Sequence, residues 1–219
     1  VFAVCQSSEM FFLTEDERER LAARVVQAAA GRMCVVASGH ISDKIEDQIR
    51  ELRRVAATGV DAVVMISNRL AGPEESDDVL IANMRRILDA VPGIPFGMYE
   101  CPCPYKRLLS EKVLLAMVET GRFHFIKDTC CDAALIARRV ELLKGRIQLF
   151  NANCATFLET LKTGADGFSG IMANYHPDLL RWLYTHYQSQ PEKARWLSAM
   201  LSVMSLVEGC GHPAAVKYH

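Results

Sequence analysis

Six glycines, Gly31, Gly59, Gly93, Gly121, Gly145 and Gly164, divide the chain at separations of 28, 34, 28, 24 and 19 residues. A short apolar run follows each: Met33–Ser38 (MCVVAS), Ala62–Ser67 (AVVMIS), Pro95–Glu100 (PFGMYE), Phe123–Asp128 (FHFIKD), Ile147–Asn151 (IQLFN) and Gly167–Ile171 (GFSGI). Val1–Cys5 (VFAVC) makes a seventh. Several runs are continuously apolar rather than alternating, which is the pattern of parallel strands covered on the outside by helices. The stretches between them carry helix signals. Thr14 and Glu17 form a capping box ahead of Leu21, Val25 and Val26, with a stop at Gly31, and Asp43 with Glu46 repeats the pattern ahead of Ile49, Leu52 and Val55, ending at Gly59. Strand, helix and glycine stop recur in strict alternation, so each strand is expected to run parallel to the last.

A closed (β/α)8 barrel, the TIM barrel, takes about 250 residues. Seven units in 219 residues are one short of closure, so the spacing predicts an α/β barrel whose first unit precedes Val1. An open doubly wound sheet is the competing architecture, but the G-x-G-x-x-G turn that marks its first strand is absent. Residues 1–176 are expected to hold units two to eight. Residues 177–219 are expected to add, within the same domain, a closing helix over Pro177–Gln188, a further helix over Pro191–Val207 and the opening of another at AAVKYH. Trp196, Met200, Leu201 and Met204 share a face of the second helix, read as packing against the barrel wall, with an oligomer surface as the alternative.

Charge narrows the partners. Lys plus Arg total 25 against 26 Asp plus Glu, a net charge of -1, so no overall field draws in nucleic acid or an anionic membrane. No apolar run approaches the length of a membrane span and no signal peptide opens the chain, which predicts a cytoplasmic protein with reduced thiols, its eight cysteines being too sparse for a disulfide scaffold. Because the first residue is Val1 and already belongs to a strand-like run, the chain is expected to start inside a longer protein.

In βα barrels the reacting groups come from the C-terminal ends of the strands. Lys127 ends its strand with Phe123 and Phe125 on the same side, while His124, Ile126 and Asp128 face the other way. A lysine emerging from an aromatic wall is desolvated, which favours the neutral amine that attacks carbonyls. The alternative is a solvated lysine at a strand end. Tyr99, ending the preceding strand, is the nearest proton carrier, or a tyrosine that merely packs. Cys5, Cys101, Cys103, Cys130, Cys131 and Cys154 also fall at strand ends, but C-x-C and adjacent C-C do not match the C-x-x-C spacing of metal knuckles. They are read as small packing residues, and no metal site is predicted. His40 and His176 are read as solvated loop histidines, and Thr163–Gly170 as the entrance to a strand rather than a phosphate loop.

These residues match a known pattern. FHFIKDTCCD resembles the sixth-strand segment of the dihydrodipicolinate synthase and N-acetylneuraminate lyase family, in which a lysine followed by an acidic residue and Ser or Thr forms a Schiff base with a 2-oxo acid. PFGMYECPCP is similar to the fifth-strand segment, where a tyrosine followed by proline moves protons, so the resemblance gives Lys127 and Tyr99 the catalytic roles, with Pro102 completing the pattern. CQSSEMFFLTEDER resembles the stretch that holds the substrate carboxylate, implying Gln6, Ser7 and Ser8 there. GADGFSGIMAN resembles the eighth-strand segment, implying a backbone carbonyl from Ser169. Three departures stand out. Gln6, Ser7 and Ser8 replace Thr, Thr and Gly; Leu70 stands where the synthases place a tyrosine that reaches a neighbouring subunit; and Pro104 replaces an arginine that grips the second substrate, leaving Arg69 and Lys106 as substitutes. The resemblance therefore implies a divergent class I aldolase or lyase rather than dihydrodipicolinate synthase itself. It would act on pyruvate or another 2-oxo acid without a cofactor, as a homotetramer or homodimer. The rival reading is a noncatalytic barrel that binds a 2-oxo acid for sensing or scaffolding.

Overall fold

Thr14 and Glu17 close on each other as their spacing requires. Thr14 Oγ1 accepts the Glu17 N–H at 3.3 Å and the Glu17 carboxylate accepts the Thr14 N–H at 2.8 Å, which opens α1 over Glu15–Ala29. The helix ends one residue earlier than its glycine suggests: Ala30 itself takes the left-handed position at φ 49°, and Gly31 follows at φ 70°. The second capping box does not form. α2 spans Ile45–Ala56 with Lys44 as its cap residue, one position later than expected, and Asp43 instead accepts a hydrogen bond from Arg69 at 3.2 Å. The computed structural model describes residues 1–219. They form two compact units, Val1–Phe125 and Ile126–His219.

All seven apolar runs are where the glycine spacing puts them. Six are strands: β1 (Val36–Ala37), β2 (Ala62–Ile66), β3 (Phe96–Tyr99), β4 (Phe123–Asp128), β5 (Gln148–Asn151) and β6 (Gly167–Phe168), which follow one another in chain order in the sheet. The registers Val36↔Ala62, Val63↔Phe96 and Phe150↔Gly167 are all parallel. The first run, Val1–Cys5, joins β1 through a parallel bridge at Phe2↔Val36, with the Ala3 N–H donating to Val36 at 2.8 Å and the Ser38 N–H to Val4 at 3.0 Å. β2 is buried along its whole length, which is why it reads as continuously apolar.

In the first unit β2 is followed by a single helical turn, α3 (Ser67–Leu70), and then by α4 (Asp77–Ala90); α5 (Glu111–Thr120) follows β3. Leu52 and Val55 of α2, Leu80, Met84 and Ile87 of α4, and Val113, Leu114 and Met117 of α5 make the helix-side core. On the other face of β3 a glycine is needed. A Cβ at Gly97 would lie 2.2 Å from Cζ of Phe125, so the ring occupies the space a side chain would take. Replacing Gly97 with alanine is expected to destabilise the protein by about 1–3 kcal/mol, the usual cost of overpacking. Thermal melting measures it, and adding Phe125→Leu restores most of the loss if the clash is the cause.

In the second unit α6 (Ala133–Leu143) is capped by Asp132, which accepts the Ala134 N–H at 2.8 Å, and α7 (Cys154–Lys162) by Asn153, which accepts the Thr156 N–H at 3.1 Å. α8 (Pro177–His186) and α9 (Pro191–Met204) each begin with proline, and a 3-10 turn over Ser205–Gly209 leads to α10 (Ala214–Tyr218). Ala194, Leu197 and Leu201 form the buried stripe of α9 against Phe157, Leu161 and Leu183, with Met200 and Met204 at its margin. Trp196 is not part of this packing. It lies one residue, about 100°, off the stripe and is 68% exposed. No helix is long and apolar enough to cross a membrane.

Candidate active site

Tyr99 closes β3 on the face that Gly97 shares with Phe125, because residues two apart in a strand point the same way. Its phenol is buried, meets the ring of Phe2 edge-on with centroids 5.7 Å apart, and donates to Gln6 Oε1 at 3.4 Å. Burial pushes its ionisation far above that of an ordinary tyrosine, and the thiols of Cys101, Cys5 and Cys103 push in the same direction. Tyr99 is thus a neutral hydrogen-bond donor in the folded protein. Gln6 also accepts from Cys101 Sγ at 3.7 Å and donates to Cys103 Sγ at 3.5 Å, so its carboxamide joins the phenol to two thiols. A carboxamide accepts the phenol hydrogen but does not pass a proton onward as a hydroxyl does.

Gln6, Ser7 and Ser8 form one half-buried 3-10 turn. The Ser8 hydroxyl is engaged locally, accepting the Cys5 N–H at 2.8 Å and donating to the Cys5 carbonyl at 2.9 Å. It shapes the turn. Arg69 is held by Asp43 at 3.2 Å with its guanidinium 5.5 Å from the centre of the Phe11 ring, and its Nε is buried without a partner. Leu70 is fully buried in its own unit and Lys106 is exposed.

The segment after Tyr99 is laced onto α3 by groups the sequence does not advertise. The Asn68 side-chain amide donates to the carbonyls of Cys101 at 2.8 Å and Cys103 at 2.9 Å, and to that of Tyr105. The Tyr105 hydroxyl donates back to Asn68 at 2.7 Å, Arg107 donates to the Gly72 carbonyl at 2.6 Å, and the fully buried Glu100 accepts the Leu109 N–H at 2.7 Å. These bonds fix the wall beside Tyr99. The cysteines divide: Cys5, Cys101 and Cys154 are buried as packing predicts, whereas Cys103 and Cys131 are exposed.

His40 is not a solvated loop residue. It is fully buried, with Nε2 accepting the Ile66 N–H at 2.6 Å and Nδ1 paired with Gln48 Oε1 at 3.0 Å, which assigns the proton to Nδ1. Burial lowers its pKa from 6.5 to about 4, against a smaller upward pull from Gln48. The neutral form is therefore the folded form. This stabilisation is complete above the unfolded-state value of 6.5 and is lost as pH falls from there toward 4, by about 3 kcal/mol in total. Urea denaturation of the wild type and His40→Gln between those limits tests it: the variant starts less stable, and its stability falls less steeply with acid. Equal slopes refute the assignment. His176, which precedes α8, is half-buried beside Tyr175.

In the second unit Lys127 is half-buried near the end of β4, on the Phe125 side of the strand. Asp128 points the other way. Its carboxylate forms a fully buried ion pair with Arg139 of α6 and accepts the Cys130 N–H at 2.8 Å. The acid beside the lysine therefore anchors the strand end to its helix. Asn151 does the same for β5, donating to Thr160 Oγ1 at 3.0 Å and accepting the Asn153 N–H at 2.7 Å. The Ser169 N–H donates to the Asn151 carbonyl at 2.8 Å, tying the loop after β6 to β5. Glu208 lies in the 3-10 turn Ser205–Gly209 after α9. Burial raises its carboxyl pKa, while the Met172 N–H and the Lys127 ammonium pull it down. Burial, with the Glu208 charge adding to it, lifts the Cys154 thiol to about 12. The signal for Glu208 is its isolation, because it is the one acidic or basic side chain, histidine apart, between Arg195 and Lys217.

The chain is similar to known proteins over nearly its whole length. It is 24% identical over 206 residues to the 4-hydroxy-tetrahydrodipicolinate synthase of Macrococcus caseolyticus, covering 94% of this chain and 68% of that one. It is also 24% identical over 196 residues to an uncharacterized DapA-like lyase of Halobacterium salinarum, covering 89% of this chain and 63% of that one. The chloride-inhibited dihydrodipicolinate synthase of Acinetobacter baumannii, solved with pyruvate, superposes with a TM-score of 0.87 at 19% identity over 99% of this chain and 74% of its own. YagE, a prophage protein of E. coli K12 also solved with pyruvate, gives 0.83 at 18% identity over 94% and 70%. The fold is accordingly that of these structures, an α/β TIM barrel in which β1 to β6 and the Val1–Cys5 run are consecutive parallel strands. The model of the dihydrodipicolinate synthetase family matches residues 1–218, and the chain belongs to that family.

Proposed function

We propose that this chain is a Schiff-base-forming aldolase or lyase acting on pyruvate or another 2-oxo acid. The observation that carries the reading is a half-buried lysine near the end of β4 in a chain whose residues 1–218 match the dihydrodipicolinate synthetase family, with the buried phenol of Tyr99 closing β3. Neutral Lys127 Nζ adds to the ketone carbon, water leaves, and the resulting imine draws electrons from the adjacent carbon so that a carbon–carbon bond forms or breaks. Tyr99 is the proton donor, its O–H kept intact by burial. Ser7, Gln6 and the N–H groups of their turn receive the substrate carboxylate; Ser8 contributes through its backbone, since its hydroxyl caps Cys5. Ser169 offers its carbonyl. Arg69, held by Asp43, supplies positive charge for a second substrate. The chemistry needs no metal or organic cofactor. The active form is a homo-oligomer in the cytoplasm, with Leu70 contributing to its own core rather than to a neighbour's site.

Two solved relatives bear pyruvate, which supports that ligand class. Borohydride reduction in the presence of pyruvate, followed by peptide mass analysis, tests the reading: a reduced adduct appears on Lys127. Repeated failure with pyruvate, 2-oxobutyrate and 2-oxoglutarate refutes it. The position of Gln6 against the phenol favours a second reading, a barrel that binds a 2-oxo acid without turnover. Exchange of the pyruvate methyl protons with deuterium separates the two, because exchange requires proton transfer at the imine and a passive binder shows none.

A further inference from the structure

The loop that leaves β3 turns two sulfurs onto one carboxamide. Gln6 Oε1 accepts from Cys101 Sγ at 3.7 Å and Gln6 Nε2 donates to Cys103 Sγ at 3.5 Å, so both thiols of the C-P-C segment reach the same group. The backbone is gathered as well. The Asn68 amide nitrogen holds the Cys101 carbonyl at 2.8 Å and the Cys103 carbonyl at 2.9 Å, and it also takes that of Tyr105. In an extended chain the carbonyls of residues i and i+2 lie about 7 Å apart, more than two such bonds to a shared nitrogen can bridge, so the segment is curled. About 7 Å is also the outer limit of the Cα separation that a disulfide spans, and curling brings the pair inside it. Pro102, between them, has its φ fixed by its ring and leaves little freedom to lose on closure. Exposure divides the two thiols: Cys103 is open to solvent and Cys101 is fully buried.

We propose that Cys101 and Cys103 form a peroxide-sensitive dithiol, closing to a disulfide that withdraws both sulfurs from Gln6 and so loosens the carboxamide to which Tyr99 is bonded. The oxidant is hydrogen peroxide. The exposed Cys103 thiolate attacks one peroxide oxygen, the O–O bond breaks, and a sulfenic acid forms while the departing hydroxide takes up the proton the thiol gave up. The Cys101 sulfur then attacks the sulfenic sulfur. The S–S bond forms, the S–O bond breaks, and the hydroxide leaves with the Cys101 proton as water. Two thiols and one hydrogen peroxide thus give one disulfide and two waters, with two electrons passing from sulfur to oxygen. A dithiol reductant reverses the change by exchange. In the reduced form Gln6 is held by Cys101, by Cys103 and by the phenol at 3.4 Å. In the disulfide neither sulfur carries a hydrogen for Oε1 and both are drawn toward each other, so of these three only the phenol still holds the carboxamide. The dithiol stands on these contacts, while its effect on proton transfer rests on the Schiff-base reading.

Trypsin isolates the pair, because Ile87–Lys106 holds no other cysteine and no internal Lys or Arg. The folded chain is treated with hydrogen peroxide, alkylated with iodoacetamide under denaturing conditions, digested and weighed. The peptide is expected to carry no alkyl group and to weigh two hydrogens less than its dithiol form, with any Met98 sulfoxide recognised by its added oxygen. Dithiothreitol before alkylation restores both alkyl groups. In Cys101→Ser, peroxide leaves on Cys103 a sulfenic acid that dimedone traps. Retention of both alkyl groups in the wild type, over-oxidation of Cys103 without a link, or a link from either residue to another cysteine overturns the proposal, whether or not the variant folds. The effect on the site is read as exchange of the pyruvate methyl protons with deuterium. Peroxide slows it on the order of 10²-fold, the cost of a misplaced reacting group, and dithiothreitol restores it. Cys103→Ser keeps its own rate under the same treatment. A disulfide that leaves exchange unchanged, or equal slowing in Cys103→Ser, overturns the link to Tyr99. No exchange in the reduced wild type would remove the Schiff-base reading, while the peptide mass still decides the dithiol.

Discussion

With Lys127 replaced by alanine, reduction in the presence of pyruvate leaves the protein unlabelled and turnover falls by on the order of 10³-fold or more, the scale on which a lost nucleophile acts. Lys127→Arg gives the same result. A guanidinium keeps the charge and most of the length but does not deprotonate in a protein, so it forms no imine. The pair of variants thus separates the amine from its charge. Neither is expected to shift stability by more than about 1 kcal/mol, because Lys127 is only half-buried and the contacts that anchor its strand end run through Asp128 on the opposite side. Labelling that persists in either variant would mean that another lysine reacts. Tyr99→Phe is a companion: it retains the packing against Phe2 and loses the proton, so labelling survives while turnover drops by about 10²–10⁴-fold.

The second large effect is structural. Arg139→Leu is expected to destabilise the protein by about 3–5 kcal/mol, read as a shift of the urea midpoint, because it strands a carboxylate in the interior. Asp128 has no exposed side-chain surface and Arg139 only 3%. Replacing both partners, as Asp128→Asn with Arg139→Leu, recovers much of that loss, since the asparagine side chain still accepts the Cys130 N–H and no bare charge is left buried. If the single variant is within 1 kcal/mol of wild type, the pair does not anchor the strand end and Asp128 is open to other roles. The consequence for activity follows from position: the anchor holds the residue next to Lys127, so loosening it spreads the orientations of the amine.

The strand and helix alternation was legible in the sequence because its determinants are local. A helix cap needs residues three apart, as at Thr14 and Glu17, and a buried strand needs a short apolar run, as in β2. Where a local rule failed, a small displacement was enough: moving the cap of α2 from Asp43 to Lys44 left Asp43 outside the helix and available to Arg69. Trp196 shows the same sensitivity on α9, where one position separates the buried stripe from solvent. Lys127 and Tyr99 were singled out for another reason, the resemblance of their segments, in order along the chain, to those of the family.

The sequence by itself thus determined the order of βα units and the pair of residues on which the proposed chemistry rests. Only the tertiary structure decided what surrounds them: that His40 is a buried neutral anchor for Ile66 and Gln48, that Gln6 takes the phenol hydrogen of Tyr99, and that Asn68 laces the following loop. The physical reason is range. Periodicity and capping are settled within a few residues, whereas burial, proton affinity and the partner of a polar side chain depend on segments 26 to 93 residues away in sequence, as the bonds from His40 to Ile66 and from Tyr99 to Gln6 show.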